Sequence, residues 1–128
     1  MREQRGRVEV TLPLRTRSLT NQREHWAKRH RRSKQERGVA ALVLRAHEVP
    51  GLPLEVELVR VAPRRLDSDN LTSSLKAVRD GVADWLGVDD GDERVRWTYG
   101  QRKGEPRQYL VEIAVTREVI LCRNINGG

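Results

Sequence analysis

Apolar and polar residues alternate through Val8-Glu9-Val10-Thr11-Leu12 until Pro13 ends the run. That period of two predicts a short strand with one buried face. Residues 14–21 show little periodicity and read as a loop, with Thr20 or Asn21 placed to cap a following helix. From Arg23 to about His47 the spacing is helical. Its first half is cationic, and Val39, Ala40, Leu42, Val43 and Ala46 supply an apolar stripe in the second. Gly38, between the halves, marks a place for a break or kink. Pro50-Gly51-Leu52-Pro53 is a turn, and Leu54-Glu55-Val56-Glu57-Leu58 alternates again before the phase reverses at Val59-Arg60-Val61. A strand carrying a bulge fits that reversal.

The strongest helical signal follows. Leu71, Leu75, Val78, Val82, Trp85 and Leu86 recur at helical spacing, Asp69 or Asn70 can cap the start, and Gly87 stands where a helix should end. Beyond it, Val95-Arg96-Trp97-Thr98-Tyr99 alternates, 100–106 is turn-rich, and 109–115 forms a further strand, so these two strands predict a hairpin. The order strand, helix, strand, helix, strand, strand implies an α/β fold, a mixed sheet with two main helices packed against it. At 128 residues the chain suits a single domain. Its core is expected over about 7–116, with the polar tail 117–128 frayed.

Composition narrows the classes. The chain has no Phe, so the core must rest on Val, Leu, Ala and three Trp. A lone Cys122 supports neither an internal disulfide nor a zinc site and suits a reducing compartment. No apolar signal core follows Met1, and no run reaches the ~20 apolar residues that cross a bilayer, so the chain reads as soluble and cytoplasmic, with no membrane partner. The 25 Lys and Arg against 18 Asp and Glu leave a net charge of +7. These cations concentrate between Arg23 and Arg37 and again at Arg102, Lys103 and Arg107, two groups suited to phosphates.

Within this basic chain the carboxylates gather in the middle, at Asp67-Ser68-Asp69-Asn70, Asp80, and Gly87-Val88-Asp89-Asp90. Like charges bunched this way call for a cation among them. If Asp67 and Asp69 are extended, their side chains project to one side about 6 to 7 Å apart. Ser73, Lys76, Asp80 and Asp84 then share the polar face of a continuous helix, and Lys76 lies one turn from Asp80. Asp89 and Asp90 fall about 27 Å from Asp69 along such a helix. A fold-back, a bend or a second subunit is needed to close that distance. Plainer roles compete: caps for Asp69 and Asn70, a surface ion pair for Lys76 and Asp80, a turn for Asp89-Asp90-Gly91. An EF-hand is excluded because the glycine at loop position six and the glutamate at twelve are missing. There is no P-loop, no Gly-rich nucleotide fingerprint, and no Ser-His-Asp or Cys-His arrangement, and His25, His30 and His47 read as helix-surface residues.

Taken together, Asp67-x-Asp69-Asn70-Leu71, Lys76-x-x-x-Asp80 and Gly87-Val88-Asp89-Asp90 followed by Val95 resemble the RusA family of Holliday junction resolvases, including its phage-borne members. Leu12-Pro13 with a polar loop containing Asn21 is similar to the family's first strand and loop, so the resemblance covers most of residues 7–116. It implies a small α/β homodimer that cuts four-way DNA junctions with Mg²⁺, with Mn²⁺ as the alternative ion. It further implies that Asp67, Asp69 and Asp90 bind metal, with Asp89 the neighbouring alternative, and that Lys76 assists at the scissile phosphate. Thr72-Ser73-Ser74-Leu75 places Lys76 about one turn later than in the family pattern. The basic residues Arg23, Lys28, Arg29, Arg31, Arg32, Lys34, Arg64, Arg65, Arg102 and Lys103 would then grip branched DNA through its phosphates. Other readings are a metal nuclease on different branched DNA and a non-catalytic nucleic-acid-binding module.

Overall fold

The computed structural model describes residues 6–17 and 25–118. Thr20, Asn21, Arg23, Cys122 and the tail beyond Glu118 lie outside the described residues. Four strands and three helices follow in the order β1 (Arg7–Leu12), α1 (Trp26–Leu44), β2 (Leu54–Ala62), α2 (Ser68–Ser74), α3 (Lys76–Leu86), β3 (Val95–Lys103) and β4 (Leu110–Arg117). They form a small mixed α/β domain whose sheet has the strand order β1-β4-β2-β3. No helix among the described residues is long and apolar enough to cross a membrane.

The expected hairpin between the last two strands is not formed. β3 runs through Gly100 to Lys103 and pairs parallel with β2, while β4 inserts between β1 and β2, antiparallel to both. Side-chain rows explain the arrangement. Across the sheet the register aligns Val8, Val115, Val56 and Trp97, then Val10, Ile113, Leu58 and Tyr99, then Leu12, Val111, Arg60 and Gln101. β4, with three apolar residues in these rows, completes the core from the inside. The polar ends of β3 suit an edge. Nor does β2 bulge: its register is continuous, and the reversed phase arises because Arg60 takes an inward position.

All three helices contribute to the core on one face of this sheet. Ala40 and Leu44 of α1, Leu71 of α2, the intervening Leu75, and Val78 and Val82 of α3 are buried against the strand rows. Each fully buried Val or Leu contributes about 1.5 to 3 kcal/mol. In α1 part of the expected stripe faces the core: Ala40 is buried, and Val39 and Val43 pack against it. Glu36, Ala40 and Leu44, spaced one turn apart, face inward, whereas Leu42 is 64% exposed and Ala46 is exposed. The helix passes through Gly38 without a break. Its described cap is His25, whose Nδ1 accepts the Ala27 N–H at 3.2 Å. The opposite face of the sheet is polar and open, with Arg7 paired to Glu9 and Arg102 to Glu112.

The single long helix expected from Asn70 is two helices. Thr72 and Ser74 donate hydroxyl hydrogen bonds back to the Ser68 and Leu71 carbonyls at 3.1 and 2.8 Å, and Ser73 to that of Asn70 at 3.2 Å. Such bonds compete with the helical ladder. The chain turns at Leu75 (φ −102°, ψ 4°), which is fully buried, and α3 starts at Lys76. α3 ends as expected at Gly87, in the left-handed region at φ 74°.

Candidate metal and nucleic-acid site

The segment that delivers the first aspartates is pinned at both ends. Gln101 Nε2 donates to the Leu66 carbonyl at 2.7 Å and its Oε1 accepts the Leu66 N–H at 2.9 Å. Arg60 Nη1 donates to the Arg64 carbonyl at 2.8 Å. Neighbours in one row of the sheet therefore hold the strand-to-helix loop. The cap of α2 is Asp67, not Asp69 or Asn70: Asp67 Oδ1 accepts the Asn70 N–H at 2.9 Å. Asp69 sits in the first turn of α2, where the helix dipole favours a carboxylate.

The break at Leu75 and a fold-back after Gly87 together answer the problem of reach. Asp69, Thr72, Ser73, Lys76, Arg79, Asp90 and Tyr99 line one open cleft of about 420 Å³. Asp67 and Asp89 are not among its lining residues, and Asp89 instead borders a depression with Asp84, Asp92 and Arg94. Arg94 orders this return segment. Its guanidinium bonds to Asp92, its own N–H adds a third bond, and they hold the Asp92 carboxyl down at about 2.

Arg79 ties the return segment to α3. Its Nη1 donates to Tyr99 Oη at 2.7 Å, its Nη2 donates to the Asp90 carbonyl at 2.5 Å, and its Cζ lies 4.6 Å from the Trp97 ring centre. Sequence reasoning missed Arg79 and Tyr99. The signal available was an arginine one residue before Asp80, in a helix whose polar side already carries Lys76 and Asp80.

Lys76 Nζ donates to Asp80 Oδ2 at 3.2 Å and remains largely exposed. It also borders a second cleft, of about 530 Å³, lined by His30, Ser33, Lys34 and Arg37 of α1 with Ala77 and Asp80 of α3. Arg37 grips Asp84 through two hydrogen bonds of 2.6 and 2.8 Å, which pull the Asp84 carboxyl below its ordinary range and raise the Arg37 pKa. Gly81 lets the helices meet closely, because a Cβ there would lie 2.4 Å from the Arg37 carbonyl oxygen.

The remaining cations are dispersed. Lys28, Arg31 and Lys34 are exposed on α1. Arg32 pairs at 3.5 Å with Glu36, which is 4% exposed. Arg64 and Arg65 are exposed on the loop before Asp67. Arg102 lies on the open sheet face and pairs with Glu112, while Lys103 shares the side of Tyr99 and Gln101. Trp26, 68% exposed and stacked on His25, adds an aromatic surface at the start of the basic helix.

Among the described residues, no three His, Cys, Asp or Glu side chains gather closely enough to hold a metal ion between them. The oxygen donors in the cleft, two carboxylates with the hydroxyls of Thr72, Ser73 and Tyr99 beside them, are all hard. Mg²⁺ usually keeps several waters and takes only one or two protein carboxylates, and the carboxylates of Asp69 and Asp90 are donors of that type.

No family model matches the chain. An uncharacterized protein of Xylella fastidiosa (strain Temecula1 / ATCC 700964) is 39% identical over 90 residues, which are 63% of this chain and 59% of that protein. A solved structure of 2C-methyl-D-erythritol-2,4-cyclodiphosphate synthase aligns with 62% of this chain and 47% of its own at 22% identity and a TM-score of 0.31, too low to carry an argument. The chain thus spans about 59% of the relative and 47% of the solved structure it aligns with.

Proposed function

We propose that this chain is a metal-dependent endonuclease of the RusA resolvase type, cutting four-way DNA junctions by paired nicks. The observation that carries the reading is that Asp69 and Asp90, far apart in sequence, border one cleft together with Lys76. Asp69 and Asp90 would hold Mg²⁺ or Mn²⁺. The ion, when bound, supplies an activated water and neutralises charge on the reacting phosphate. Lys76 adds a positive charge at the cleft where a phosphate would carry growing negative charge. The neighbouring cleft, with Lys34 and Arg37 beside Lys76, offers a cationic path by which a strand can approach. Asp67 caps α2 and so fixes where Asp69 stands. Two cuts in opposing strands require two sites, which a two-fold homodimer would supply.

The test is a panel of four-way junctions, flaps and linear duplexes incubated with Mg²⁺ and with EDTA. Symmetric paired nicks in the four-way junction, abolished by EDTA, are expected. Cleavage confined to flaps would shift the reading to another branched-DNA nuclease. One observation favours a non-catalytic nucleic-acid-binding module: the Asp67 carboxylate already has a structural task as a helix cap. That reading predicts tight junction binding, unaffected by EDTA, with no cut product under any ion.

A further inference from the structure

Asp90 is exposed, in a short connection between α3 and β3, and nothing in its local sequence directs it toward the cleft. What reaches it there is Arg79. The guanidinium is fixed on three sides: Tyr99 Oη accepts from Nη1 at 2.7 Å, the Asp90 main-chain carbonyl accepts from Nη2 at 2.5 Å, and the Trp97 ring lies beneath it at 4.6 Å. Trp97 and Tyr99 stand two residues apart on β3, on the side that faces the helices. Arg79 therefore joins α3, the edge strand and the return segment at one point. The way it holds Asp90 is also informative. It bonds the carbonyl, while its Nε and Asp90 Oδ2 form only a loose ion pair at 4.0 Å, outside hydrogen-bond range, and Nε has no hydrogen-bond partner of its own.

We propose that Arg79 is a positioning residue, which anchors the Asp90 segment across the cleft from Asp69 by its backbone and leaves the Asp90 carboxylate available to a cation. What Asp90 does once held there rests on the nuclease reading, but the anchoring does not. A lysine cannot replace Arg79 in this role. Bonding two acceptors in different directions while lying flat on an indole needs the planar fork of a guanidinium, whereas an ammonium is a point charge. The arrangement also explains how the fold spans the length of α3 without a second subunit: α3 brings Arg79 to the segment, and the segment returns to Arg79.

The experiment compares Arg79→Met, Arg79→Lys and Tyr99→Phe with the intact chain. Circular dichroism and melting first establish that each variant is folded, and Tyr99→Phe, which removes a single hydroxyl, serves as the mild variant. Amide hydrogen exchange then reads the segment directly. The expected result is exchange about 30-fold faster at residues 88–92 in Arg79→Met, equivalent to about 2 kcal/mol, with β2 and β4 amides unchanged. Arg79→Lys should behave nearly as Arg79→Met, and Tyr99→Phe should fall between it and the intact chain. Electron paramagnetic resonance with Mn²⁺ alone reads the cleft. Half-saturation should rise roughly ten-fold in Arg79→Met, and cleavage at saturating Mn²⁺ should return toward that of the intact chain, a split that a simple loss of folded protein would not give.

Unchanged exchange at 88–92 in Arg79→Met overturns the inference, as does faster exchange with an unaltered Mn²⁺ midpoint. If the intact chain neither binds Mn²⁺ nor cuts DNA, the nuclease reading falls, and exchange alone then decides whether Arg79 anchors the segment.

Discussion

Two glycine-to-alanine changes, one on each of the facing helices, should move stability in opposite directions. At Gly81 of α3 an added Cβ would lie 2.4 Å from the Arg37 carbonyl oxygen and 2.8 Å from the Ala40 Cβ. Restoring ordinary packing distances requires the helices to separate by about 1 Å. A gap of 0.5–1 Å forfeits roughly a quarter to a half of each dispersion attraction, and those at stake hold Ala40 and Leu44 near Val78 and Val82. Overpacking of this kind costs about 1–3 kcal/mol or more. Alanine regains some of that through helix propensity, about 0.8–1 kcal/mol. Taking the upper end of the range, because the nearer clash is with rigid backbone, Gly81→Ala should lose about 2 kcal/mol net. At roughly 3 to 5 °C per kcal/mol for a domain of this size, the melting temperature should drop by about 8 °C. At Gly38 of α1 nothing lies within 4 Å of an added Cβ. Gly38→Ala should therefore stabilise by about 0.4–1 kcal/mol. Thermal and urea melts of both variants are the assay. A Gly81→Ala chain as stable as its parent would refute the close crossing of α1 and α3, and with it the placement of Lys34 and Arg37 beside Lys76.

Other outcomes follow from the same geometry. Asp67→Ala should lose about 1 kcal/mol in urea unfolding while Asp67→Asn should not, because asparagine caps a helix as well as aspartate does; equal loss in both would contradict the cap. The Asp84 carboxyl, held low by its hydrogen bonds from Arg37, contributes stability that is present above the ordinary value of 3.8 and is lost as pH falls through its depressed folded value. Acid titration of stability should therefore be shallower in Asp84→Asn, and an unchanged profile would show that the pair is not formed in solution. Raising salt should weaken junction binding in EDTA steeply, and replacing exposed Lys28, Arg31 or Lys34 should reduce that slope by about 0.9 for each phosphate no longer neutralised; an unaltered slope would remove α1 from the proposed DNA-binding surface.

Local pattern made much of this fold legible. Alternation placed β1, the first half of β2 and the body of β4, and the stripe Leu71, Leu75, Val78 and Val82 identified the buried side of α2 and α3 correctly. What remained hidden depended on partners distant in sequence. Val95–Lys103 and Leu110–Arg117 look like a hairpin because they are adjacent, yet β2 offers both of them a longer apolar edge, and the rows close only with β4 inside. The inward turn of Arg60 belongs to the same class, because its use is to hold a loop carbonyl. The helix break was closer to being readable. Thr72-Ser73-Ser74 is a run of hydroxyls able to bond the preceding carbonyls, and that chemistry outweighed the hydrophobic period that continued through it. At the site, the motif singled out Asp67, Asp69, Lys76 and Asp90, of which the last three line one cleft, but it carried no sign that Asp67 would turn to the backbone or that Arg79 would reach the Asp90 segment.

The most direct measurement is cleavage of a synthetic four-way junction by the intact chain, Asp69→Asn and Asp90→Asn in Mg²⁺, with binding to the same junction followed in EDTA. A metal held between Asp69 and Asp90 predicts paired nicks from the intact chain, loss of cutting in both variants, and junction binding retained in all three. Cutting at the parental rate by either variant, or no cutting by the folded intact chain with Mg²⁺ or Mn²⁺, would contradict it.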